Sequence, residues 1–199
     1  TAYKKNKNQL LLLSGGEFIK EEQDLISNTL YGQVRYEYQI HDKGKLFAFY
    51  QLQRNEILLI LRRQLLGVGY KHSLVNVQED SLSKFKIDVS LGVMQEEELL
   101  DEKQLNSEEI AYTNYTRGIS SLVLVWNPTS NFSVINTSYF QSYLKNVSDF
   151  RVLNETNLVF NLSKWISFSV DLEYRFDSAP PVNLRNSDMN LNFGLLLNL

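Results

Sequence analysis

Eight charged residues stand at alternate positions in three short runs: Arg35 and Glu37 in YGQVRYEYQI, Lys84, Lys86 and Asp88 in KFKIDVSLGV, and Asp171, Glu173 and Arg175 in WISFSVDLEYRFD. A row of both signs at every second residue suits two kinds of chemistry. It can line a conduit and set its selectivity, or fill a narrow interior with cross-strand ion pairs. The mixture of signs argues against strong ion selectivity. The chain has two histidines, His41 in HDKGK and His72 in GYKHS; in a strand array whose C-terminal end faces the periplasm both fall near that end, away from the rim where an enzyme of outer-leaflet lipids needs the base of a serine nucleophile. They read as turn and strand-end residues, and no catalytic residue is expected. No histidine pair has metal-ligand spacing, and cysteine is absent, so no metal or cofactor site is expected and thiolate chemistry is excluded.

What positions the charged rows is a period of two. In residues 166–177, Ile166, Phe168, Val170, Leu172, Tyr174 and Phe176 share one face, and Ser167, Ser169, Asp171, Glu173, Arg175 and Asp177 the other. Val34, Tyr36, Tyr38 and Ile40 oppose Gln33, Arg35, Glu37 and Gln39, and Phe85 through Val93 alternate in the same way against Lys84 through Gly92. Polar breaks divide the chain into about ten strands, near 8 to 20, 29 to 40, 44 to 54, 60 to 72, 82 to 96, 109 to 126, 131 to 144, 151 to 162, 165 to 177 and 187 to 199. Alternation is weakest in residues 131–144, where a bulge or a shifted register is expected. Short connections at HDKGK, NPTSN and LSK alternate with longer ones at KEEQDLISN, EEELLDEKQLNSEE and FDSAPPVNLRNSD, although QRNEILL is short and SLVNVQED long for their ends. This pattern predicts a single all-β domain over residues 1–199, an up-and-down antiparallel transmembrane β-barrel.

Alternation alone leaves open whether the oily rows face lipid or fill the interior of a soluble lipocalin-like barrel. A charge at the bilayer midplane costs up to about 2–4 kcal/mol, so in a membrane barrel the eight charged residues must face the lumen. No run of eighteen apolar residues occurs, which excludes a spanning helix but not spanning strands. A net charge of −3 offers no surplus of cations for nucleic acid. The chain opens on Thr1 without a charged-then-apolar leader, as after removal of a signal peptide or trimming of the start. The six N-x-S/T patterns, at Asn114, Asn131, Asn136, Asn146, Asn154 and Asn161, read as the preference of a polar strand face for Asn, Ser and Thr rather than as glycosylation sites. The acidic run of residues 96–109 reads as a solvated loop, with divalent-cation binding among lipopolysaccharide phosphates or a partner contact as the alternative.

The terminal residues NFGLLLNL place Asn192, Gly194, Leu197 and Leu199 at the spacing of a C-terminal signal for the outer-membrane assembly machinery, with an aliphatic rather than aromatic end. The run LEYRFDSAPPVNLRNSDMNLNFGLLLNL resembles the closing hairpin of the salt-induced outer-membrane protein family, whose pattern is roughly Y-R-Y-D-S-x-P-P and then K-x-T-D-T-x-L. RRQLLGVGYKHSL, residues 62–74, resembles its R-x-x-x-G-x-G-Y strand, and RYEYQIHDKGKLFAFYQLQRNE the hairpin before it. Departures are Phe176 for the usual Tyr and Ala179 for a common Lys. The resemblance implies a bacterial outer-membrane barrel, about two strands ahead of TAYKKNKN and therefore twelve in all, without known chemistry. The expected function is a small passive pore or an envelope or osmotic-stress protein with a mostly filled, charged lumen. Its partners would be outer-membrane lipids, lipopolysaccharide and the assembly machinery. The alternatives are an accessory subunit of a larger outer-membrane complex and the soluble ligand-binding barrel.

Overall fold

The computed structural model describes residues 2–21, 24–78 and 84–197. Its strands are β1 (Ala2–Lys5), β2 (Asn8–Glu21), β3 (Asp24–His41), β4 (Gly44–Asn55), β5 (Ile60–Gln78), β6 (Lys84–Leu100), β7 (Tyr112–Thr129), β8 (Phe132–Tyr143), β9 (Asn146–Asn161), β10 (Ile166–Asp177) and β11 (Ser187–Leu197). They form one antiparallel sheet in strict chain order. The up-and-down meander is therefore as expected, with eleven strands instead of about ten because residues 2–5 pair with residues 8–11.

Closure into a barrel is not part of the described pairing, in which β1 bonds to β2 and β11 to β10. In a meander of eleven strands the first and last run in the same direction, so no antiparallel ladder can join them, and bacterial single-chain barrels use an even number.

Several predicted loops are strand. Residues 96–100 belong to β6, the segment SLVNVQ continues β5 to Gln78, and KEEQDLISN contracts to the stretch between Glu21 and Asp24. Within these connections, residues 22–23 and 79–83 lie outside the described residues, as does Leu199. The expected shift in β8 is confined to its ends, at Trp126/Thr129 against β7 and Ser142/Tyr143 against β9. Between them the ladder is regular, so weak alternation there has another cause.

The sheet curls toward the face that carries the charges. Arg151 on β9 donates to Glu96 on β6 at 2.9 Å, although three strand spacings span about 14 Å in a flat sheet. Arg35 and Tyr31 on β3 interact electrostatically with Tyr139 on β8, five spacings or about 24 Å away if flat. At one end, the loop of residues 101–111 meets the loop of residues 178–186: the Val182 N–H donates to Glu109 Oε1 at 2.7 Å and Asn183 Nδ2 to the Gln104 carbonyl at 3.0 Å. The two loops are thus joined to each other at this end of the sheet.

Candidate functional site

The inward face is built of three groups held by period-two register. On β3 and β4, Arg35 lies 3.2 Å from Glu37, which also accepts from Lys45 at 2.9 Å. The Arg35 guanidinium stands 4.3 Å over the Phe47 ring, a cation–π contact. Phe47, Phe49, Leu65 and Met94 form a buried cluster on this same inward face. Phe47 is paired with Gly69 and Phe49 with Gly67, and a Cβ on either glycine would lie within 2.4 Å of the facing ring. The glycines of GVGY thus make room for two phenylalanines inside the curl.

On β5 and β6, Asp88 is buried and gathers Lys86 at 2.6 Å, Lys71 at 3.2 Å and the Ser73 hydroxyl at 2.8 Å. Lys84 occupies the same face, paired in register with Gln78 and Asn127. Toward the loop end lies the densest polar centre. Glu96 and Arg117 are each 1% exposed. Arg117 Nε donates to Glu96 at 2.8 Å and its Nη1 to Asp149 at 2.8 Å. Arg151 bridges Glu96 at 2.9 Å, Glu98 at 3.4 Å and Asp177 at 2.7 Å, and Arg63 pairs with Glu98 and approaches Glu96 at 3.7 Å. Three guanidiniums and four carboxylates from β5, β6, β7, β9 and β10 are locked together across the concavity.

On β9 to β11, Asp171 accepts from Asn157 and from Ser169, and Arg175 pairs with Asp188 at 2.7 Å. Glu173 sits directly opposite Glu155. Here the face is less filled, with a cavity of about 260 Å³ bordered by Thr137, Glu155, Asn157, Asp171, Glu173 and Asn192. The eight sequence-predicted charged residues therefore share one face but do not form one site. Asn192 and Gly194 of the terminal motif lie inward, opposite Asp171 and Ser169, while Leu197 is exposed on the outward side.

The outward face is exposed and mainly apolar. Leu91 is 68% exposed, Phe193 65% and Leu195 71%, and the outward positions of β6 from Phe85 to Val93 and of β10 from Ile166 to Phe176 carry no charge. A chain of ring contacts runs across one end: Trp126 to Phe132 at 6.4 Å, Phe132 to Phe160 at 4.9 Å, Phe160 to Phe168 at 6.4 Å and Phe168 to Phe193 at 6.1 Å. A second chain, from Phe140 to Phe150 at 5.7 Å and on to Phe176 at 5.5 Å, crosses the other. On β10 the rows are marked by Phe168 and Phe176, which at ~3.3 Å per residue stand about 26 Å apart along the strand.

The family model described as a protein of unknown function, DUF481, matches residues 2–198. The chain belongs to this family. No curated protein matches it. The family's description carries neither activity nor location, so the salt-induced outer-membrane name stays with the likeness of YRFDSAPP and RRQLLGVGY.

His41 and His72 meet at one hydroxyl: His41 Nε2 and His72 Nδ1 each lie 3.0 Å from Tyr70 Oη. The contact needs Gly44, where a Cβ would stand 2.3 Å from the His41 ring.

Two readings of the sequence are corrected. Glu96 and Glu98 are buried ion-pair partners, not part of a solvated acidic loop; continuing the inward register from Lys84 through Ser90 and Gly92 reaches both, and that was the available signal. Asn136 and Asn154 are not on the charged face. They lie outward, in register with Thr156 and Ser138.

Proposed function

We propose that the chain is the wall of a bacterial outer-membrane β-barrel whose outward face meets lipid and whose lumen is capped and largely filled, so that it acts in the envelope as a narrow or closed barrel and not as an open diffusion pore. The observation that carries this reading is the division between the two faces. An uncharged outward belt bounded by two aromatic rows backs a concave face on which buried charges are paired, the distribution expected of a transmembrane barrel. A soluble lipocalin-like barrel would put its oily rows inside, and here they are the exposed ones. The envelope or osmotic-stress role rests on the family resemblance, and the reading assigns no catalysis to His41 or His72.

The filling of the lumen decides between an open and a closed barrel. The Phe47 and Phe49 rings occupy the β3 to β6 side, the Glu96 cluster crosses the loop end, and the loops of residues 101–111 and 178–186 meet over it. The experiment is current recording in a planar bilayer with insertion scored separately by protease protection. Inserted protein is expected to be silent or to pass only small steps. Large steady conductance from inserted wild-type protein contradicts the closed lumen, and failure to insert contradicts the membrane reading. A role as subunit of a larger assembly is the second reading, supported by a polar break in the outward belt.

A further inference from the structure

The outward faces of β8 and β9 meet in six register pairs: Phe132 with Phe160, Val134 with Leu158, Asn136 with Thr156, Ser138 with Asn154, Phe140 with Val152, and Ser142 with Phe150. The two central pairs are polar. They lie between the aromatic rows, at the depth where a hydrocarbon solvent offers no hydrogen bonds. Their side chains form a ring. Asn136 Nδ2 donates to Thr156 Oγ1 at 2.7 Å and to Asn154 Oδ1 at 3.3 Å, Thr156 Oγ1 donates to Asn154 Oδ1 at 3.1 Å, Asn154 Nδ2 to Ser138 Oγ at 2.7 Å, and Ser138 Oγ to Asn136 Oδ1 at 3.2 Å.

The ring lowers the cost of facing lipid without using all of its capacity. Asn154 donates through Nδ2 to Ser138, whereas an amide nitrogen carries two hydrogens and each hydroxyl and carbonyl oxygen has two lone pairs. A purely lipid-facing wall would do better with leucine or valine at all four positions, as at the outward positions of β6 and β10. Each ring keeps one unused donor, the second Nδ2 hydrogen of Asn154, beside unused acceptor lone pairs on Asn136, Ser138 and Thr156. Related by a two-fold axis, such a patch sets donors against acceptors of its own copy, whereas a charged patch would meet its own sign. The outward residues around it, Phe140, Phe160 and Trp126, are exposed and uncharged.

Resting on the membrane reading above, we propose that the β8–β9 wall centred on Asn136, Ser138, Asn154 and Thr156 is a two-fold contact between two copies of this chain in the bilayer. The hydrogen-bonding capacity left by each ring is completed by the other, and the aromatic pairs above and below pack against their counterparts.

The chain has no cysteine, so the test uses single replacements in the full chain inserted at high lipid-to-protein ratio in phosphatidylcholine vesicles. Ser138→Cys is expected to give a disulfide-linked pair on mild oxidation, and Leu91→Cys, outward on β6, to give none. The replacement of Asn136 and Asn154 by Leu, Ser138 by Ala and Thr156 by Val is expected to halve the mass seen in detergent while leaving insertion intact. Inserted protein that remains monomeric, or links equally through both cysteines, overturns the two-fold contact and leaves the membrane reading standing. Cross-linking of Ser138→Cys in cell envelopes to a different protein also overturns it. Failure of the chain to insert removes the reading on which the proposal rests.

Discussion

Arg117 is the residue whose loss the fold should feel most. Its guanidinium is 1% exposed and is shared between Glu96 and Asp149, each at 2.8 Å. The cluster holds Arg63, Arg117 and Arg151 against Glu96, Glu98, Asp149 and Asp177. Arg117→Met keeps the length of the side chain but leaves two cations for four carboxylates, and removing one partner of a buried pair typically costs about 3–5 kcal/mol. The upper part of that range is expected. Glu96→Gln leaves three cations facing three carboxylates, and each arginine keeps another acid, Glu98, Asp149 or Asp177, so a loss of about 3 kcal/mol, the lower end, is expected. In the double variant the two effects should overlap, giving a coupling of at least about 1 kcal/mol. Equilibrium unfolding in urea from detergent micelles measures all three. A cost below about 1 kcal/mol for Arg117→Met, or Glu96→Gln proving the more damaging, would refute the account of a charge-balanced crossbar.

Other perturbations separate the two faces. Leu91→Arg places a charge at the middle of the outward row of β6 and should cost roughly 2–4 kcal/mol if lipid lies there, read as loss of insertion into vesicles; normal insertion contradicts the lipid-facing assignment. Gly69→Ala would bring a Cβ to 2.4 Å from the Phe47 ring and 2.5 Å from the Leu91 carbonyl, so a loss of about 1–3 kcal/mol is expected from overpacking, whereas Gly32→Ala, with open space around it, should be nearly neutral. Glu173→Gln removes one of two like charges opposite each other on β9 and β10 and should raise stability by roughly 0.2–1 kcal/mol; a fall in the urea midpoint would mean that the pair is held by something other than solvent.

The legible part of this chain was what a period of two can carry. The oily and charged faces of β3, β6 and β10 follow from local alternation, and the HDKGK hairpin from its short polar break. Phe47 and Phe49 were not legible as interior residues, because FAFY is apolar on both faces and the deciding information lies in Gly67 and Gly69 on the neighbouring strand. The acidic run hid two buried partners, since nothing local distinguishes Glu96 from a solvated glutamate until Arg117 and Arg151 arrive from β7 and β9. In β8 the weak alternation was real but misassigned. Its cause is not a slipped register but Asn136 and Ser138 standing on the oily face. The eleventh strand was hidden as well, because residues 2–5 are few and their pairing shows only in the ladder.

The claim that most needs testing is that the outward face lies in lipid. The chain has two tryptophans: Trp126, outward at one aromatic row, and Trp165, exposed in the turn before β10. Both sit at the same end of the sheet. Fluorescence of the full chain in vesicles containing lipids brominated at graded acyl depths reads their position directly. The account predicts quenching that is strongest for shallow bromines, with both residues near the bilayer interface, and loss of the Trp126 share of that quenching in Trp126→Phe. Tryptophan emission unaffected by bromine at any depth, in protein that stays with the vesicles, would contradict it.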